Sequence, residues 1–174
     1  MPREPYKTTN LDQYGGPAVP WSRAAAALDD TGDGSHTAWF LGVAGADGLP
    51  HAAGIGALWS NGEVFFVSGP GTRKSRALAQ QPGATMSARL DGIDIVLEGN
   101  ARRITDRPTL EKVAALYRAA GWPAEVDGEA FTAPYTAPSG GPPPWNVYSL
   151  DYHTVYGVST AEPYGATRWQ FDQG

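Results

Sequence analysis

Residues 39–68 read WFLGVAGADGLPHAAGIGALWSNGEVFFVS, and this stretch decides the fold. It contains three apolar runs separated by two dipeptides, Asp47-Gly48 and Asn61-Gly62. Asp-Gly and Asn-Gly between apolar runs are the strongest short signals for a β-hairpin. The stretch therefore predicts three consecutive antiparallel strands.

The chain after this stretch contains further strand patterns. The runs 84–90 and 93–105 flank an Asp91-Gly92 turn, and apolar and polar residues alternate in the second run. This period of two is typical of a half-buried strand. A long strand is predicted from Asn146 to Val158, and a last short strand in GATRWQF (165–171). One face of the long strand is predicted to hold Tyr148, Leu150, Tyr152, Tyr156 and Val158.

Three short helices are expected between the strands. Ser22 is predicted as the N-cap of the first, which runs to Leu28 and is followed by a loop in DDTGDG (29–34). The second follows Thr72 and ends at Pro82, and the third begins around Pro108 and ends before Gly121. Residues 122–145 hold six prolines and are expected to lack regular structure. We call residues 132–145 the strap and expect it either to cover a pocket or to contact a partner subunit.

These elements predict a mainly β fold of the α+β class, with six or seven antiparallel strands closed into a small barrel and short helices added. Residues 1–21, rich in proline and glycine, are expected to form an extended arm. Residues 22–174 are expected to form a single domain, since 174 residues at 41% hydrophobic composition bury a sizeable core.

Composition excludes several classes of function. A net charge of −5 argues against a nucleic-acid-binding surface, which requires an excess of Lys and Arg. No run approaches the roughly 20 apolar residues of a membrane span. The chain has no cysteine, so it has no disulfide or thiolate chemistry, and we expect a cytoplasmic location.

Residues 69–82, GPGTRKSRALAQQP, form the most informative polar motif. Arg73, Lys74 and Arg76 fall within one helical turn directly after a strand, and the segment holds no acidic residue. Cations at a helix start are unfavourable unless an anion is near, and free N–H groups there are suited to a phosphate. The residues alone leave two interpretations open, an anion site and a solvated basic helix start. The glycine spacing matches neither a P-loop nor a dinucleotide-binding fingerprint.

Other chemistry has little support in the sequence. His36, His51 and His153 have no metal-ligand spacing, no metal site is predicted, and no serine lies in a nucleophile elbow. The small residues of AAGIGALW (52–59) leave the backbone unshielded, which suits either a flat ring or a bulge at a barrel corner. Of the aromatic residues, we expect Trp145, Tyr164 and Trp169 near a pocket or a partner subunit.

Residues 39–78, the following strand pair and the terminal ATRWQF resemble the pyridoxamine 5′-phosphate oxidase-like split-barrel superfamily, over roughly His36 to Phe171. More narrowly, they resemble the actinobacterial oxidoreductases that use FMN or the deazaflavin coenzyme F420. The resemblance implies a homodimer of six-stranded split barrels, with two cofactors bound in clefts between the subunits.

The resemblance also implies roles for individual residues. Thr72, Lys74 and Arg76 would hold the cofactor phosphate. The backbone of the second strand would lie along the ring, and the end of the third strand would contribute Val67 and Ser68. Arg168 and Trp169 would reach across from the partner chain. Ala77 stands where the family has asparagine, so that amide contact is missing. The ring-side residues are Ala53, Gly54, Ile55, Gly56 and Ala57.

We therefore predict a cofactor-dependent oxidoreductase that transfers hydride to a small planar molecule, with coenzyme F420 as first choice and FMN as the alternative. No catalytic side chain is identified, because such a ring delivers hydride itself. A non-catalytic protein that binds a flavin, haem or tetrapyrrole is the competing class. Pyridoxamine 5′-phosphate oxidation is a third, and its second phosphate site would have to come from Arg102 and Arg103, whose alternation puts them on opposite faces of one strand.

Overall fold

The computed structural model describes residues 3–31 and 37–172. In that part of the chain there are three helices and eleven strands, and all strand pairs are antiparallel. The helices are α1 (Trp21–Asp29), α2 (Arg73–Gln80) and α3 (Arg107–Ala119). The strands are β1 (Lys7–Asn10), β2 (Trp39–Ala44), β3 (Pro50–Ile55), β4 (Ala57–Ser60), β5 (Glu63–Ser68), β6 (Gly83–Leu90), β7 (Ile93–Ile104), β8 (Glu125–Asp127), β9 (Ala130–Thr132), β10 (Asn146–Ser159) and β11 (Ala166–Gln170).

The central strands are linked into a ring. β2 pairs with β3 and β6, β6 pairs with β7, β7 with β10, β10 with β5, and β5 with β4. β3 and β4 are one run of chain interrupted at Gly56, so the ring opens at that residue. Counting β3 and β4 together gives six strands, which confirms the predicted split barrel. β11 and then β1 extend the sheet beyond β10.

The hairpin turns are confirmed where the dipeptides predicted them. Between β4 and β5, Asn61 and Gly62 both have positive φ, at 52° and 80°. This is the conformation of a type I′ turn, whose twist matches that of the flanking strands. The turns at Asp47-Gly48 and Asp91-Gly92 likewise join β2 to β3 and β6 to β7.

The apolar residues form two clusters. The larger one fills the barrel and is closed at one end by α1, through Trp21, Ala24 and Leu28. The smaller cluster lies outside the ring, where α3 and β9 pack against β5, β7 and β10. Its fully or nearly fully buried members include Leu110, Val113, Ala114, Phe65, Ile104, Val147 and Phe131. α3 thereby covers the side of the barrel next to the opening at Gly56.

α1 begins two residues earlier than predicted, so Ser22 is not the N-cap. Pro20 holds the N-cap position, and no side chain caps the helix. Trp21 packs edge-on against Trp169 at 5.4 Å and Phe171 at 4.9 Å between ring centroids. Burial of this large ring in the first turn outweighs the modest preference for a capping hydroxyl.

The predicted faces of the long strand are correct only for its first half. The register of β10 against β7 shifts between Tyr152 and Thr154, which marks a β-bulge. A bulge adds one residue and therefore inverts the alternation that follows it. Val155 is fully buried, whereas Tyr156 is half-buried and Val158 is 52% exposed. The prediction that Tyr156 and Val158 share the face of Tyr148 is wrong.

Residues 122–145 are more regular than expected. β8 and β9 form a short hairpin, and Phe131 pairs with Trp145 through two backbone hydrogen bonds of 2.8 and 2.9 Å. The prediction of no regular structure is therefore wrong for residues 125–132. Most of the strap remains irregular.

The N-terminal residues that are described lie along the sheet, where β1 pairs with β11. Part of the predicted DDTGDG loop, residues 32–34, lies outside the described residues, as does His36. The first strand of the barrel begins at Trp39. None of the helices in the described part of the chain is long and apolar enough to span a bilayer.

Candidate functional site

A cavity of about 310 Å³ lies where the barrel opens. Its walls come from the ends of β3 and β5, the start of α2, one residue of α3, Trp122 and the strap. The lining residues are Gly54, Ile55, Gly56, Val67, Ser68, Gly69, Lys74, Tyr117, Trp122, Ala137, Ser139, Gly140 and Trp145. Six of them belong to the predicted site: Gly54, Ile55, Gly56, Val67, Ser68 and Lys74. The fold thus brings three distant segments of that site together.

Hydroxyl groups fix the turn that leads into α2. Thr72 is the N-cap and accepts from the Ser75 backbone N–H at 3.2 Å, while its own hydroxyl donates to the Gly69 carbonyl at 2.8 Å. Ser68 lies 2.9 Å from the Thr72 hydroxyl, and Ser75 donates to Ser68 at 3.0 Å. Because the Thr72 hydroxyl donates its proton to the Gly69 carbonyl, the role of Thr72 is to stabilise the turn. The backbone N–H groups of the first helical turn have no partner within the helix.

The three cations of this segment, Arg73, Lys74 and Arg76, do not all lie at the same site. Lys74 lines the cavity, is half-buried and has no ion-pair partner among the described residues. Arg73 lies 3.8 Å from Asp47, and Arg76 donates to the Gly71 carbonyl. Both arginines line a separate crevice beside the β2–β3 hairpin. Of the predicted phosphate ligands, the structure therefore places only Lys74 at the cavity.

Another wall of the cavity is formed by glycine backbone that no side chain covers. A Cβ atom built at Gly54 or at Gly56 would meet no atom within 4 Å, so open space lies beside both residues. Ala57 packs against the barrel core, and Ala53 does not line the cavity. The predicted ring-side segment is thus represented at the cavity by Gly54, Ile55 and Gly56.

Tyr117 contacts the backbone at the break between β3 and β4. Its hydroxyl donates to the Gly56 carbonyl at 3.2 Å, and the Phe65 carbonyl lies 3.5 Å away. The side chain is buried, and this burial raises the pKa of the phenol far above its ordinary value. Tyr117 therefore stays protonated and neutral. No local sequence pattern points to this contact with Gly56.

The strap and Trp122 close the outer side. Trp122 and Trp145 lie 5.6 Å apart between centroids, and the Trp145 indole donates to the Gly141 carbonyl at 3.1 Å. A Cβ atom at Gly69 would lie 2.0 Å from the Gly140 carbonyl oxygen, so the strap rests directly on the turn before α2. The expected position of Trp145 near a pocket agrees with this geometry. No sequence signal pointed to Trp122.

Two residues predicted to reach across from a partner lie away from the cavity. Trp169 is fully buried in the barrel core against Trp21, so it reaches no surface, and its predicted role is wrong. Arg168 is half-buried on β11, opposite Tyr156 of β10. Tyr164 is 62% exposed and does not line the cavity.

A second cavity of about 310 Å³ lies near the β4–β5 hairpin. Arg3, Trp21, Asp29, Trp59 and Tyr152 are among its lining residues, and none of the predicted site residues is. Asp29 accepts from the Trp59 indole at 2.8 Å, and the Tyr152 hydroxyl donates to the Gly62 carbonyl at 3.0 Å. These bonds join α1 and β10 to the hairpin. We assign this cavity a structural role.

Within the described residues, no group of three or more His, Cys, Asp and Glu side chains is placed to hold a metal ion. His51 and His153 lie on different strands, and neither lines the Lys74 cavity. What the site offers is one unpaired cation, exposed backbone and aromatic walls. Such a set of groups suits a flat molecule with an anionic end.

No known protein family matches this sequence, and no curated protein is similar to it. Solved structures do share its fold. A pyridoxamine 5′-phosphate oxidase-related, FMN-binding protein from Nostoc punctiforme has a TM-score of 0.61 at 17% identity, over 90% of this chain and 94% of that chain. A NimC/NimA family protein from Clostridium acetobutylicum has a TM-score of 0.55 at 16% identity, over 83% of this chain and 91% of that chain.

A heme-binding protein from Mycobacterium smegmatis has a TM-score of 0.52 at 17% identity, over 82% of this chain and 57% of that chain. These identities are low, so the likeness concerns the fold alone. The expected resemblance to pyridoxamine 5′-phosphate oxidase-like split barrels is confirmed at that level. Proteins with this fold include one described as FMN-binding and one described as heme-binding.

Proposed function

We propose that this protein binds coenzyme F420, or FMN as the alternative, in the Lys74 cavity and transfers hydride to a small planar substrate. The observation that carries the proposal is Lys74, a half-buried cation without an ion-pair partner in the described part of the chain, at the start of α2. A cation at this end of a helix is unfavourable unless an anion is bound beside it. A phosphate group meets that requirement.

The other walls fit a flat ring. Gly54 and Gly56 leave open space beside the backbone, and Trp122 and Trp145 supply indole surfaces across the cavity. Bound there, a deazaflavin or flavin supplies hydride chemistry from its own ring. The chain would hold the phosphate at Lys74 and the free N–H groups of α2. Tyr117 would keep the Gly56 backbone in place, and the strap would exclude water.

A titration tests the binding step and chooses the ligand. Trp122 and Trp145 line the cavity, so a bound ring should quench tryptophan fluorescence. We expect saturable quenching by coenzyme F420 and weaker quenching by FMN. The reverse order would make FMN the cofactor, and no quenching by either would refute the proposal.

Homodimerisation is part of the proposal. Phe40 is 50% exposed on β2, and Ser87, Val96, Tyr156 and Arg168 follow it in register across the neighbouring strands. A large apolar side chain exposed on such a face supports a contact between copies of this chain. Light scattering should give twice the chain mass, and Phe40→Glu should give a monomer. Tyr14→Glu, at a position 99% exposed on the N-terminal arm, is the matched control.

The absence of cysteine suits a reducing compartment, which supports the cytoplasmic location that we propose.

A binding protein without turnover is the second candidate, because a heme-binding protein shares the fold. Among the residues that the structure describes, the cavity lining contains no His, Cys or Met, the usual axial ligands of haem iron besides tyrosine, and Tyr117 is engaged by the Gly56 carbonyl. We therefore favour a flavin or deazaflavin. Hydride transfer to a panel of quinones, enones and tetrapyrroles, measured against free reduced coenzyme, separates the two classes. A rate no higher than that of free coenzyme would favour the binding protein.

Pyridoxamine 5′-phosphate oxidation has no support from the geometry. Arg102 pairs with Asp151 at 3.2 Å, and Arg103 lies 4.0 Å from Glu129. Neither arginine lines the Lys74 cavity. With Lys74 holding one phosphate, a second phosphate would find no further cation among the described residues that line this site.

A further inference from the structure

The charge of the cavity lining is unusually simple. Lys74 is the only lining residue in the described part of the chain that is charged at neutral pH. Tyr117 is neutral at this pH, as tyrosines ordinarily are, and its burial raises the pKa of its phenol further. The Ser68 hydroxyl is occupied by Thr72 and Ser75. If a coenzyme phosphate is bound at Lys74, no cation remains to balance a second anionic group.

The strap forms the side of the cavity across from the glycine backbone. Ala137, Ser139 and Gly140 line the cavity, and none of them carries a charge. The turn is held by Ala137, which accepts at its carbonyl from the Gly141 N–H at 2.9 Å and donates to the Gly141 carbonyl at 3.1 Å. Because the strap is bonded to itself in this way and rests on Gly69, its small neutral side chains form a defined wall.

We propose that the strap selects an uncharged, planar acceptor and rejects anionic analogues of the same ring. The inference rests on the proposed coenzyme at Lys74. A buried anion without a partner is costly, whereas a neutral conjugated ring packs against indole surfaces at no such cost. In the reaction, the acceptor gains a hydride and one proton from solvent, and the reduced coenzyme loses the same two electrons.

The test compares 1,4-naphthoquinone with 1,4-naphthoquinone-2-sulfonate, two probes that share a ring and differ by one negative group. Binding is measured by titration calorimetry on protein loaded with oxidised coenzyme, so that no turnover occurs. kcat/KM for each quinone is then measured with reduced coenzyme. We expect the neutral quinone to bind and react at least ten-fold better than the sulfonate.

A pair of strap variants locates the selectivity. Ser139 lines the cavity mouth and is exposed, so Ser139→Lys adds a cation there without disturbing the core. Thr136 is also exposed on the strap but does not line the cavity, so Thr136→Lys is the matched control. Ser139→Lys should improve sulfonate binding about ten-fold over wild type at 0.15 M salt, where surface charges are screened beyond about 8 Å. Thr136→Lys should leave the ratio unchanged.

The outcomes separate the two proposals. Coenzyme binding with equal affinity for both quinones, or equal effects of the two lysine variants, would overturn this inference and leave the proposed function standing. Failure of both coenzymes to bind would overturn the proposed function and this inference with it. Thermal unfolding of each variant shows that it is folded before it is titrated.

Discussion

Replacing Lys74 by alanine is the most direct test of the site. Lys74 is half-buried at the start of α2, lines the cavity and has no described ion-pair partner. If it holds a phosphate, Lys74→Ala removes a charge-assisted hydrogen bond and leaves the anion poorly balanced. The same substitution removes an unfavourable interaction between a cation and the helix dipole. Binding and stability should therefore respond in opposite directions.

The magnitude follows from these two interactions. A hydrogen bond to a charged group contributes about 1.5 to 3 kcal/mol, which corresponds to roughly a 10- to 150-fold increase in Kd. Because Lys74 is only half-buried, solvent screens part of the interaction, and we expect about a 10- to 30-fold increase. Removing a cation from a helix start is worth about 0.3 to 1 kcal/mol of stability, so Tm should stay the same or rise.

Titration calorimetry and tryptophan quenching measure Kd for coenzyme F420 and FMN, and thermal unfolding gives Tm. Arg73→Ala is the matched control, since Arg73 is the neighbouring cation on the same helix turn but lines a different crevice. We expect a less than three-fold change in Kd for that control. An unchanged Kd in Lys74→Ala, or an equal loss in Arg73→Ala, would refute the assignment of the phosphate to Lys74.

Three further predictions concern the walls and the fold. Tyr117→Phe removes the donor to the Gly56 carbonyl and should lower the free energy of unfolding in urea by about 1 to 2 kcal/mol. The same variant should bind the coenzyme several-fold more weakly. Unchanged values for both the free energy of unfolding and Kd would contradict the role of this hydroxyl. Gly69→Ala places a Cβ atom 2.0 Å from the Gly140 carbonyl oxygen and should destabilise the protein by roughly 1 to 3 kcal/mol. In the control Gly71→Ala, the added Cβ atom meets no atom within 4 Å, so its effect on stability should be nearly neutral. Equal Tm values for the two variants would show that the strap does not rest on this turn. Burial raises the pKa of Tyr152 to about 12, above the unfolded value of about 10, so the stability this group contributes is complete below pH 10 and is lost as pH rises towards 12. In urea unfolding between pH 9 and 12, the stability of Tyr152→Phe should therefore decline less steeply than that of the wild type. An identical decline in the two proteins would argue against this contribution of Tyr152.

Local sequence patterns predicted most of the barrel. Asn61-Gly62 adopts the two positive φ values that its residue types favour, and the alternation in β7 matches its burial. These features depend on neighbours in sequence. The bulge in β10 is different, because no residue type around His153 indicates an extra residue in the strand. The faces assigned to the residues beyond the bulge were therefore inverted. The start of α1 was missed because a tertiary contact of Trp21 outweighed a local cap preference.

The candidate site shows the same division. Arg73, Lys74 and Arg76 form a cluster in the sequence, but an α-helix turns about 100° per residue, so Lys74 points away from the face that the two arginines share. Only Lys74 faces the cavity. The approach of Tyr117 to Gly56 joins positions 61 residues apart, and no local pattern encodes it. Trp169 was expected near a pocket or a partner subunit, yet it packs against Trp21 and is completely buried.

The position of β10 in the chain has a consequence for synthesis. β10 bonds to β5 through residues 146–149 and to β7 along almost its whole length, so it alone bridges those two parts of the described sheet. A chain still growing on the ribosome has made every other strand of the ring before this one. Until residues 146–159 emerge, the free edges of β5 and β7 are open to pairing with other chains. Nascent chains that stall before residue 146 should therefore need a chaperone, whereas chains in which all of β10 has emerged should not.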